Sequence, residues 1–337
     1  MSRAETERVS APDPANITES RVSNLPAYTY AHACANMPGL LSAVTLLGAG
    51  TQGTRLAFMW SRLGKPVYLV DKNPAQLTQA RQEIEQLRQK NRPLLAADAP
   101  SPWGEVVCSP ANELTASVSK SWLVVECVPE SLGLKRSILQ QLGDRAGPDT
   151  IIASNSSSYD IVEIMRGLEV NHPENFVSLH SYWPPETPAI EIMGSSKTPS
   201  STIALLMQQT KAHGFDPFHV RRPSTGYIYN RIWAAIKRET LLTISEGVAT
   251  PAEIDGIFKS VLKTAKGPCE QMDVVGLDVV LDIEKHYAEE RAGLPEEPRQ
   301  LLQEMVKRGE LGVKSGRGFY EHDNTFMDNT LSSIVTH

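Results

Sequence analysis

A glycine-rich turn between a short apolar run and a helical pattern constrains the fold of this chain more than any other feature. Residues 44–53 read VTLLGAGTQG, with glycines at 48, 50 and 53. In a strand–turn–helix unit the first glycine permits the tight turn, the second lets a pyrophosphate approach the backbone, and the third allows close helix packing. The phosphates would lie at the N-terminus of the helix predicted over 51–63. The residues predicted to form this nucleotide-binding turn are Gly48, Ala49, Gly50, Thr51, Gln52 and Gly53.

The next apolar run, at 66–71, ends in an acidic residue, Asp71. A carboxylate at this place can accept hydrogen bonds from both ribose hydroxyls and would repel a 2′-phosphate. The strand, the turn, the helix and Asp71 together predict an NAD site, because a glycine turn alone is weak evidence. Lys72 beside the carboxylate leaves an NADP-dependent reductase as an alternative.

Short apolar runs alternate with helical patterns from Ser42 to about Val220. This alternation predicts a largely parallel sheet with helices on both faces, an α/β doubly wound sheet of the Rossmann type. The candidate strands are 42–48, 66–71, 104–108, 121–128, 150–155, 175–181, 189–194 and 216–221. The candidate helices among them are 51–63, 75–91, 131–145 and 159–167.

The pattern becomes entirely helical after Arg222. Helices are predicted at 224–248, 251–265, 273–292 and 298–309, with no convincing strand among them. An all-α C-terminal domain therefore follows the sheet. The predicted organisation is an irregular N-terminal extension (1–40), an NAD-binding domain (41–222), a helical domain (223–322) and a tail (323–337).

Composition narrows the classes of partner. The chain of 337 residues has a formal net charge of −6 at pH 7, which gives no electrostatic footprint for nucleic acid or an anionic membrane. No apolar run approaches the ~20 residues that a bilayer span needs. The four cysteines are scattered without metal-ligand spacing, and no metal site is predicted. We expect a cytoplasmic protein, with a peroxisomal or mitochondrial location left open.

A histidine and a glutamate form the candidate acid–base pair. His180 ends an apolar strand before a Pro-Pro pair, and Glu191 alternates with Ile190 and Ile192 on the next strand. A carboxylate among apolar neighbours needs a partner, and an imidazole held by a carboxylate can move the proton of a carbinol. A purely structural pair is the alternative, and Glu186 is a competing carboxylate in a proline-rich turn.

Two further polar segments follow strands at the predicted ligand-binding edge of the sheet. They are ECVPESLGLK at 126–135 and ASNSSSY at 153–159. The carboxyl ends of parallel strands are where doubly wound sheets bind ligands. The serines can equally well cap the following helix.

In this order the segments resemble the 3-hydroxyacyl-CoA dehydrogenase family, which includes relatives of the lambda-crystallin and L-gulonate 3-dehydrogenase type. The resemblance runs from about Val44 to Tyr320. Its markers are GAGTQG (48–53), Asp71, VVECVPESLGLK (124–135), SNSSS (154–158), LHSYWPP (179–185), TGYIYNR (225–231), EGVATPAEID (246–255), GP (267–268) and KSGRGFY (314–320).

The resemblance implies a role for each matching residue. His180 would act as general base toward the substrate hydroxyl, with Glu191 holding it. Ser157 and Asn230 would hydrogen-bond the reacting oxygen. Glu130, Lys135 and Lys314 would contact NAD, while the helical domain would close the cleft and form a homodimer.

The chain also departs from the family pattern. The family's H-F-F-N-P reads His180-Ser-Tyr-Trp-Pro184 here, so Trp183 replaces an asparagine. The spacing from His180 to Glu191 is one residue shorter than expected. The segment from Asp71 to Glu126 is shorter than in acyl-CoA members, whose extra helical hairpin helps to hold CoA. The 126–135 segment and the serine run are closer to the crystallin and gulonate branch.

The resemblance predicts an NAD-dependent oxidoreductase that interconverts 3-hydroxy and 3-keto acyl substrates by hydride transfer, and it suggests a place in fatty acid metabolism. Two alternatives remain open besides the NADP-dependent one. The same fold and cofactor could serve a non-CoA substrate, such as a hydroxy or sugar acid or a biosynthetic intermediate. The chain could also be a non-catalytic, crystallin-like NAD-binding protein.

Overall fold

The computed structural model describes residues 43–91 and 103–322, all of which belong to one compact unit. The extension predicted at 1–40 and the tail predicted at 323–337 lie outside the described residues. So do residues 92–102 of the short segment between Asp71 and Glu126.

An eight-stranded sheet forms the first part of the unit, in the order β3-β2-β1-β4-β5-β6-β7-β8. The first six strands run parallel, β7 is antiparallel to β6, and β8 is parallel to β7. The strand order reverses between β1 and β4, which creates the crevice where doubly wound sheets bind ligands. The strands are β1 Val44–Leu47, β2 Val67–Asp71, β3 Val106–Pro110, β4 Leu123–Glu126, β5 Ile151–Ser154, β6 Phe176–Trp183, β7 Thr187–Met193 and β8 Asp216–Val220.

Eleven α-helices occur among the described residues, six interleaved with the strands and five after them. The interleaved helices are α1 Thr51–Trp60, α2 Pro74–Lys90, α3 Leu114–Val118, α4 Leu132–Arg145, α5 Ile161–Met165 and α6 Ser200–Ala212. The helices after β8 are α7 Tyr229–Ser245, α8 Pro251–Leu262, α9 Pro268–Val275, α10 Leu277–Glu290 and α11 Glu297–Lys307.

The predicted fold class is confirmed, with three corrections to the helices. The sequence prediction missed α3, which is short, and α6, where Ile203, Leu206 and Thr210 make a readable buried face. The single helix predicted at 273–292 is divided at Gly276, whose φ of 100° favours glycine and ends α9 before α10 begins.

Hydrophobic clusters cover both faces of the sheet. Consecutive residues of a strand point to opposite faces, so Leu46 packs in one cluster with Leu56 of α1, and Leu47 packs in the other. Val125 and Val124 of β4 divide in the same way. Because both faces are buried, the central strands are continuously apolar, as the sequence pattern predicted.

The helical region has its own core, with Leu241, Met272 and Leu302 among its fully buried members. A buried ion pair crosses this core, where the Arg238 guanidinium donates to both carboxylate oxygens of Glu284 at 2.8 and 3.0 Å. None of the helices in the described ranges is long and apolar enough to span a bilayer.

Candidate active site

The glycine turn joins β1 to α1 with the geometry that the sequence predicts for a nucleotide site. Gly48 has a φ of 110°, which favours glycine, and its N–H donates to Val70 O at 2.8 Å. A Cβ added to Gly53 would lie 1.8 Å from the Gly48 carbonyl oxygen, so only glycine allows α1 to pack this closely. A Cβ added to Gly50 would meet no heavy atom within 4 Å. The open space at Gly50 and the unpaired N–H groups of a helix start fit a pyrophosphate.

Asp71 is fixed beside this turn. One of its carboxylate oxygens accepts from Ala49 N and the other from Asn73 N, both at 2.7 Å. The carboxylate therefore ties the end of β2 to the turn after β1, at the position where an adenosine ribose would reach it. The residues present fit NAD.

A cavity of about 700 Å³ opens beyond the glycine turn, between the sheet edge and the start of α7. Helix α7 contributes Asn230, and the loop after β5 contributes Ser157, which is exposed to the cavity. The residues from the sequence prediction that line the cavity are Gln52, Glu130, Lys135, Ser157, His180, Glu191 and Asn230.

His180 is buried at the inner wall of this cavity. Its Nδ1 lies 3.4 Å from the carbonyl oxygen of Asn155, and its Nε2 lies 3.4 Å from Nδ2 of Asn230. The imidazole stacks on the Tyr227 ring at a centroid distance of 5.1 Å and an interplanar angle of 12°. If Nδ1 donates to the carbonyl, Nε2 carries the lone pair and is aimed at the cavity.

Burial lowers the pKa of His180, while the Asn155 carbonyl, Glu191 and Glu130 partly oppose that shift. The imidazole is therefore neutral at pH 7, because its ordinary pKa already lies below that value. A neutral imidazole with a lone pair on one ring nitrogen can accept a proton.

The expectation that Glu191 holds His180 directly needs a correction. The two residues are cross-strand partners on β6 and β7, yet in the described part of the chain no hydrogen bond or ion pair joins their side chains. The carboxylate of Glu191 instead accepts from Ile228 N at 2.6 Å, from Tyr229 N at 3.2 Å and from the Tyr182 hydroxyl. Glu191 thus joins the sheet to the start of α7, where the helix dipole favours a negative charge.

Lys135 lines the cavity but is almost fully buried, and its ammonium is already engaged by two carboxylates. Its ammonium lies 2.9 Å from Glu126 Oε1 and 3.1 Å from Glu130 Oε2, and it also donates to Val128 O at 3.2 Å. Burial alone would lower the pKa of Lys135, but the two carboxylates outweigh it and the pKa is raised. Lys135 is therefore charged, and its ammonium is paired with Glu130 at the cavity wall.

Glu130 reaches the cavity with its charge preserved. Burial tends to raise its pKa, but Lys135 and the hydrogen bonds from Ser156 and from Ser158 N, at 2.9 Å, lower it overall. Glu126, which sequence reasoning did not include, completes the buried cluster and accepts from Ser154 Oγ at 2.7 Å. The sequence signal that could have identified Glu126 is its position as an acidic residue at the end of the apolar strand β4.

Lys314 is not brought to this cavity. It lies in a single 3-10 turn after α11, and its ammonium is 2.6 Å from Asp278 Oδ2 at the surface. The Lys314 side chain is 44% exposed.

Sequence reasoning also missed Asn155, which contacts both His180 and Ser181. Its side-chain oxygen accepts from both the N–H and the hydroxyl of Ser181 at 2.8 Å, and its carbonyl faces His180. Asn155 belongs to the SNSSS segment, which the sequence analysis singled out, but only Ser157 of that segment was predicted to be a site residue.

Aromatic side chains form the outer wall of the cavity, where the chain departs from the family pattern. Trp183 is 5% exposed, and the Arg55 guanidinium lies 3.8 Å from its ring centroid. Arg55 also donates to Pro184 O at 2.7 Å and to Glu186 at 2.6 Å. Glu186 is therefore engaged at the rim and does not compete for His180. Tyr182, Phe218 and Tyr229 complete this wall.

A Rossmann-type sheet, a glycine turn with its acidic partner and a cleft that ends on a neutral histidine define an NAD-dependent oxidoreductase. Comparison with known proteins gives the family. Residues 43–222 match the 3-hydroxyacyl-CoA dehydrogenase NAD-binding domain, and residues 226–322 match the C-terminal domain of the same enzymes. The chain belongs to the 3-hydroxyacyl-CoA dehydrogenase family, as the sequence resemblance predicted.

Individual relatives differ in what they are named for. A 3-hydroxyacyl-CoA dehydrogenase-like protein, LAM1, of Cochliobolus heterostrophus is 36% identical over 45% of this chain, a match that covers only 32% of that protein. The 5-formyl-3-hydroxy-2-methylpyridine 4-carboxylate 5-dehydrogenase of Mesorhizobium japonicum is 26% identical over 83% of this chain and 91% of its own length. The crystal structure of (S)-3-hydroxybutyryl-CoA dehydrogenase PaaH1 from Ralstonia eutropha matches with 30% identity and a TM-score of 0.73, covering 84% of this chain and 99% of that one.

Proposed function

We propose that this protein interconverts a 3-hydroxy acyl and a 3-keto acyl substrate, with His180 as the acid–base residue. The observation that carries the proposal is the meeting of three groups in one cavity beyond the glycine turn. His180 Nε2, the amide of Asn230 and the hydroxyl of Ser157 line the same space. Family membership supports this chemistry, since relatives are named as dehydrogenases of this substrate class.

We assign the side chains two roles at the reacting oxygen, which are proton transfer and hydrogen-bond donation. His180 takes the hydroxyl proton at Nε2 during oxidation and returns it during reduction. The Asn230 amide and the Ser157 hydroxyl donate to the oxygen as it gains carbonyl or alkoxide character. NAD, when bound, supplies the acceptor for the hydride of the carbinol carbon, and the protein orients the two reactants.

The cofactor is proposed to lie along the glycine turn. Gly48, Ala49, Gly50, Thr51, Gln52 and Gly53 would hold the phosphates, and Asp71 the ribose. Glu130 would accept from the second ribose, and Lys135 would act through Glu130, because its ammonium is already paired. Lys314 would need to leave Asp278 to take part.

A non-CoA substrate is the second candidate, and the aromatic wall favours it. Trp183 replaces the asparagine of the family pattern and fills the edge of the cavity with an indole. The described part of the segment between β2 and β3 contains one helix, α2, rather than a helical hairpin. The similarity to a relative that is named as a 5-formyl-3-hydroxy-2-methylpyridine 4-carboxylate 5-dehydrogenase supports this candidate, because that name does not include CoA.

The helical region is proposed to form a homodimer. Helix α8 exposes Ile257, Val261 and Leu262 by 62%, 68% and 59%, and Val275 and Val279 are exposed nearby in sequence. Several large apolar side chains exposed on one helix are typical of an interaction surface. Light scattering coupled to gel filtration should give the dimer mass, and Val261→Glu should shift it to the monomer.

The substrate proposal is tested by turnover with NADH of acetoacetyl-CoA beside free 3-keto acids and aromatic aldehydes. Turnover of the thioester alone supports the leading proposal, and turnover of free acids alone overturns it in favour of the second candidate. Parallel assays with NADPH test the prediction that Asp71 favours NAD over NADP. Tighter binding of NADPH than of NADH would contradict that prediction.

The catalytic assignment is tested by His180→Ala. General acid–base catalysis contributes about 10²–10⁴-fold, so kcat should fall by that factor while NADH binding remains. His219→Ala is the matched control, since His219 lies on β8 and points away from the face that carries Phe218. Unchanged kcat in His180→Ala across the substrate panel would leave the non-catalytic, crystallin-like alternative.

A further inference from the structure

We propose that Tyr182 is a positioning residue that holds the Glu191 carboxylate away from His180. The inference rests on the proposed function, because it concerns the protonation of the base that His180 provides. A tyrosine stands here in place of a phenylalanine of the family pattern, and its hydroxyl gives the carboxylate a partner that a phenylalanine could not.

The carboxylate of Glu191 is occupied from two directions. One oxygen accepts from Ile228 N at 2.6 Å, and the other accepts from Tyr229 N at 3.2 Å and from the Tyr182 hydroxyl. Glu191 is 2% exposed, so water contributes little to its solvation. Three donors, from β6 and from the start of α7 with its N-cap, therefore satisfy a buried charge that would otherwise need a cation as its partner.

His180 is a neighbouring group that could become that cation, because it lies directly across the strand pair from Glu191. The rings of His180 and Tyr182 are also in contact, with their centroids 4.8 Å apart. The phenol ring of Tyr182 thus stands beside the imidazole while its hydroxyl engages the carboxylate.

The other groups around His180 do not supply the missing partner. The charged and titratable residues that face it are Glu191 from β7, Glu130 from the loop after β4, Tyr182 from β6 and Tyr227 from the segment before α7. Glu130 is paired with Lys135, and the Tyr227 hydroxyl donates to Ser156 O at 2.9 Å. Of the two carboxylates near the imidazole, Glu191 is the one that no ion pair holds among the described residues.

Removal of the Tyr182 hydroxyl should bring the two members of the pair together. In Tyr182→Phe one oxygen of Glu191 keeps only the weaker Tyr229 N–H and can turn toward a protonated His180. An opposite charge at contact distance favours the charged form, so the pKa of His180 should rise. The base then stays protonated to higher pH, and the acid limb of kcat/KM for alcohol oxidation moves to higher pH.

The experiment compares pH profiles of kcat and kcat/KM for the wild type, Tyr182→Phe and Tyr229→Phe, with the best substrate of the panel described above. Tyr229→Phe is the matched control, because it removes a hydroxyl from the same wall that donates to no group in the described chain. A shift of the acid limb in Tyr182→Phe alone supports the proposal. An unchanged acid limb in Tyr182→Phe, or an equal shift in both variants, overturns it.

A second variant, Glu191→Gln, tests the same proposal without altering Tyr182, so a folding defect in Tyr182→Phe would not affect its result. Glu191→Gln removes the charge that raises the pKa of His180, so its acid limb should move in the opposite direction, to lower pH. A shift of both variants in the same direction would also overturn the proposal. Failure of the proposed function can be distinguished from failure of this inference. If His180 were not the acid–base residue, His180→Ala would retain full turnover, whatever the result for Tyr182→Phe.

Discussion

The proposed cofactor side and the proposed substrate side of the cavity are built on different principles. At the glycine turn, the backbone itself makes the site, because Gly48, Gly50 and Gly53 set the turn, the open approach and the helix packing. At the outer wall, side chains make the site, and Tyr182 and Trp183 interact with groups from other elements. A site formed by backbone geometry tolerates few substitutions, whereas a wall of side chains can be changed by substitution to bind another ligand.

This difference explains why the turn identifies the family, whereas the choice of substrate depends on the wall. A turn that only glycine can form is preserved in the sequence as a readable motif. The contacts of an aromatic wall depend on residues that are far apart in the chain, such as Arg55 and Trp183. Function on a shared fold therefore resides in the wall rather than in the turn.

The sharpest test of the backbone principle compares two glycines three residues apart. Gly53→Ala places a methyl 1.8 Å from the Gly48 carbonyl oxygen, so the variant should fail to fold or lose NADH binding altogether. Gly50→Ala meets no protein atom and should fold normally, yet its methyl would occupy the phosphate approach and weaken NADH by at least about tenfold, or ~1.4 kcal/mol. Thermal unfolding and calorimetric titration separate the two effects. Equal behaviour of the two variants would contradict the distinct roles of the glycines.

Two lysines that the family resemblance assigns to the cofactor should differ widely in their contribution to stability. Lys135→Met leaves Glu126 buried without its cation, which should cost about 3–5 kcal/mol of the free energy of unfolding. Lys314→Met removes a surface ion pair and should cost less than about 1 kcal/mol. Urea denaturation measures both values. A small loss in Lys135→Met would contradict this prediction and show that the buried cluster relaxes around the missing cation.

The wall principle is tested by Trp183→Asn, which restores the residue of the family pattern. The variant loses the indole under the Arg55 guanidinium, an interaction worth about 0.5–2 kcal/mol, and it opens the edge of the cavity. KM for the substrate should change by roughly tenfold while the dissociation constant of NADH stays within about twofold. Arg55→Lys, which keeps the charge but not the planar stack, is the control. A large change in NADH affinity would show that the two sides of the cavity are not separable.

The smallest effect concerns the contact between the sheet region and the helical region. His286 of α10 lies 3.2 Å from both carboxylate oxygens of Glu163 on α5, and that hydrogen bond raises the pKa of His286 although burial opposes it. A raised pKa gives stability that is full below the unfolded pKa and is lost as pH rises through the folded value. His286→Gln should therefore lose more stability near pH 5.5 than near pH 8.5, by about 1 kcal/mol or less.

The measurement is the midpoint of thermal unfolding at the two pH values, with His172→Gln as the control. His172 contacts an exposed Glu174 at 3.4 Å in a single-turn segment, so its loss should change the midpoint little at either pH. A pH-independent loss in His286→Gln would show that the histidine acts through packing against Tyr159 rather than through its charge.

Sequence by itself determined the eight strands, the nucleotide turn and the family. The apolar signal is continuous in the central strands, because both faces of the sheet are buried there, whereas β3 and β8 at the two edges are partly exposed. VTLLGAGTQG and Asp71 could be read directly, since the turn and its acidic partner are local and their spacing follows from one strand–helix–strand unit.

Only the tertiary structure decided which groups touch across that framework. The sequence placed Glu191 near His180, but three donors from β6 and α7 compete for its carboxylate, and a competition between distant segments leaves no spacing to read. In the same way Lys135 turned out to be buried between two carboxylates and Lys314 to be paired at the surface. Local patterns fix the backbone, whereas the partner of a buried charge depends on every donor that the fold brings within reach.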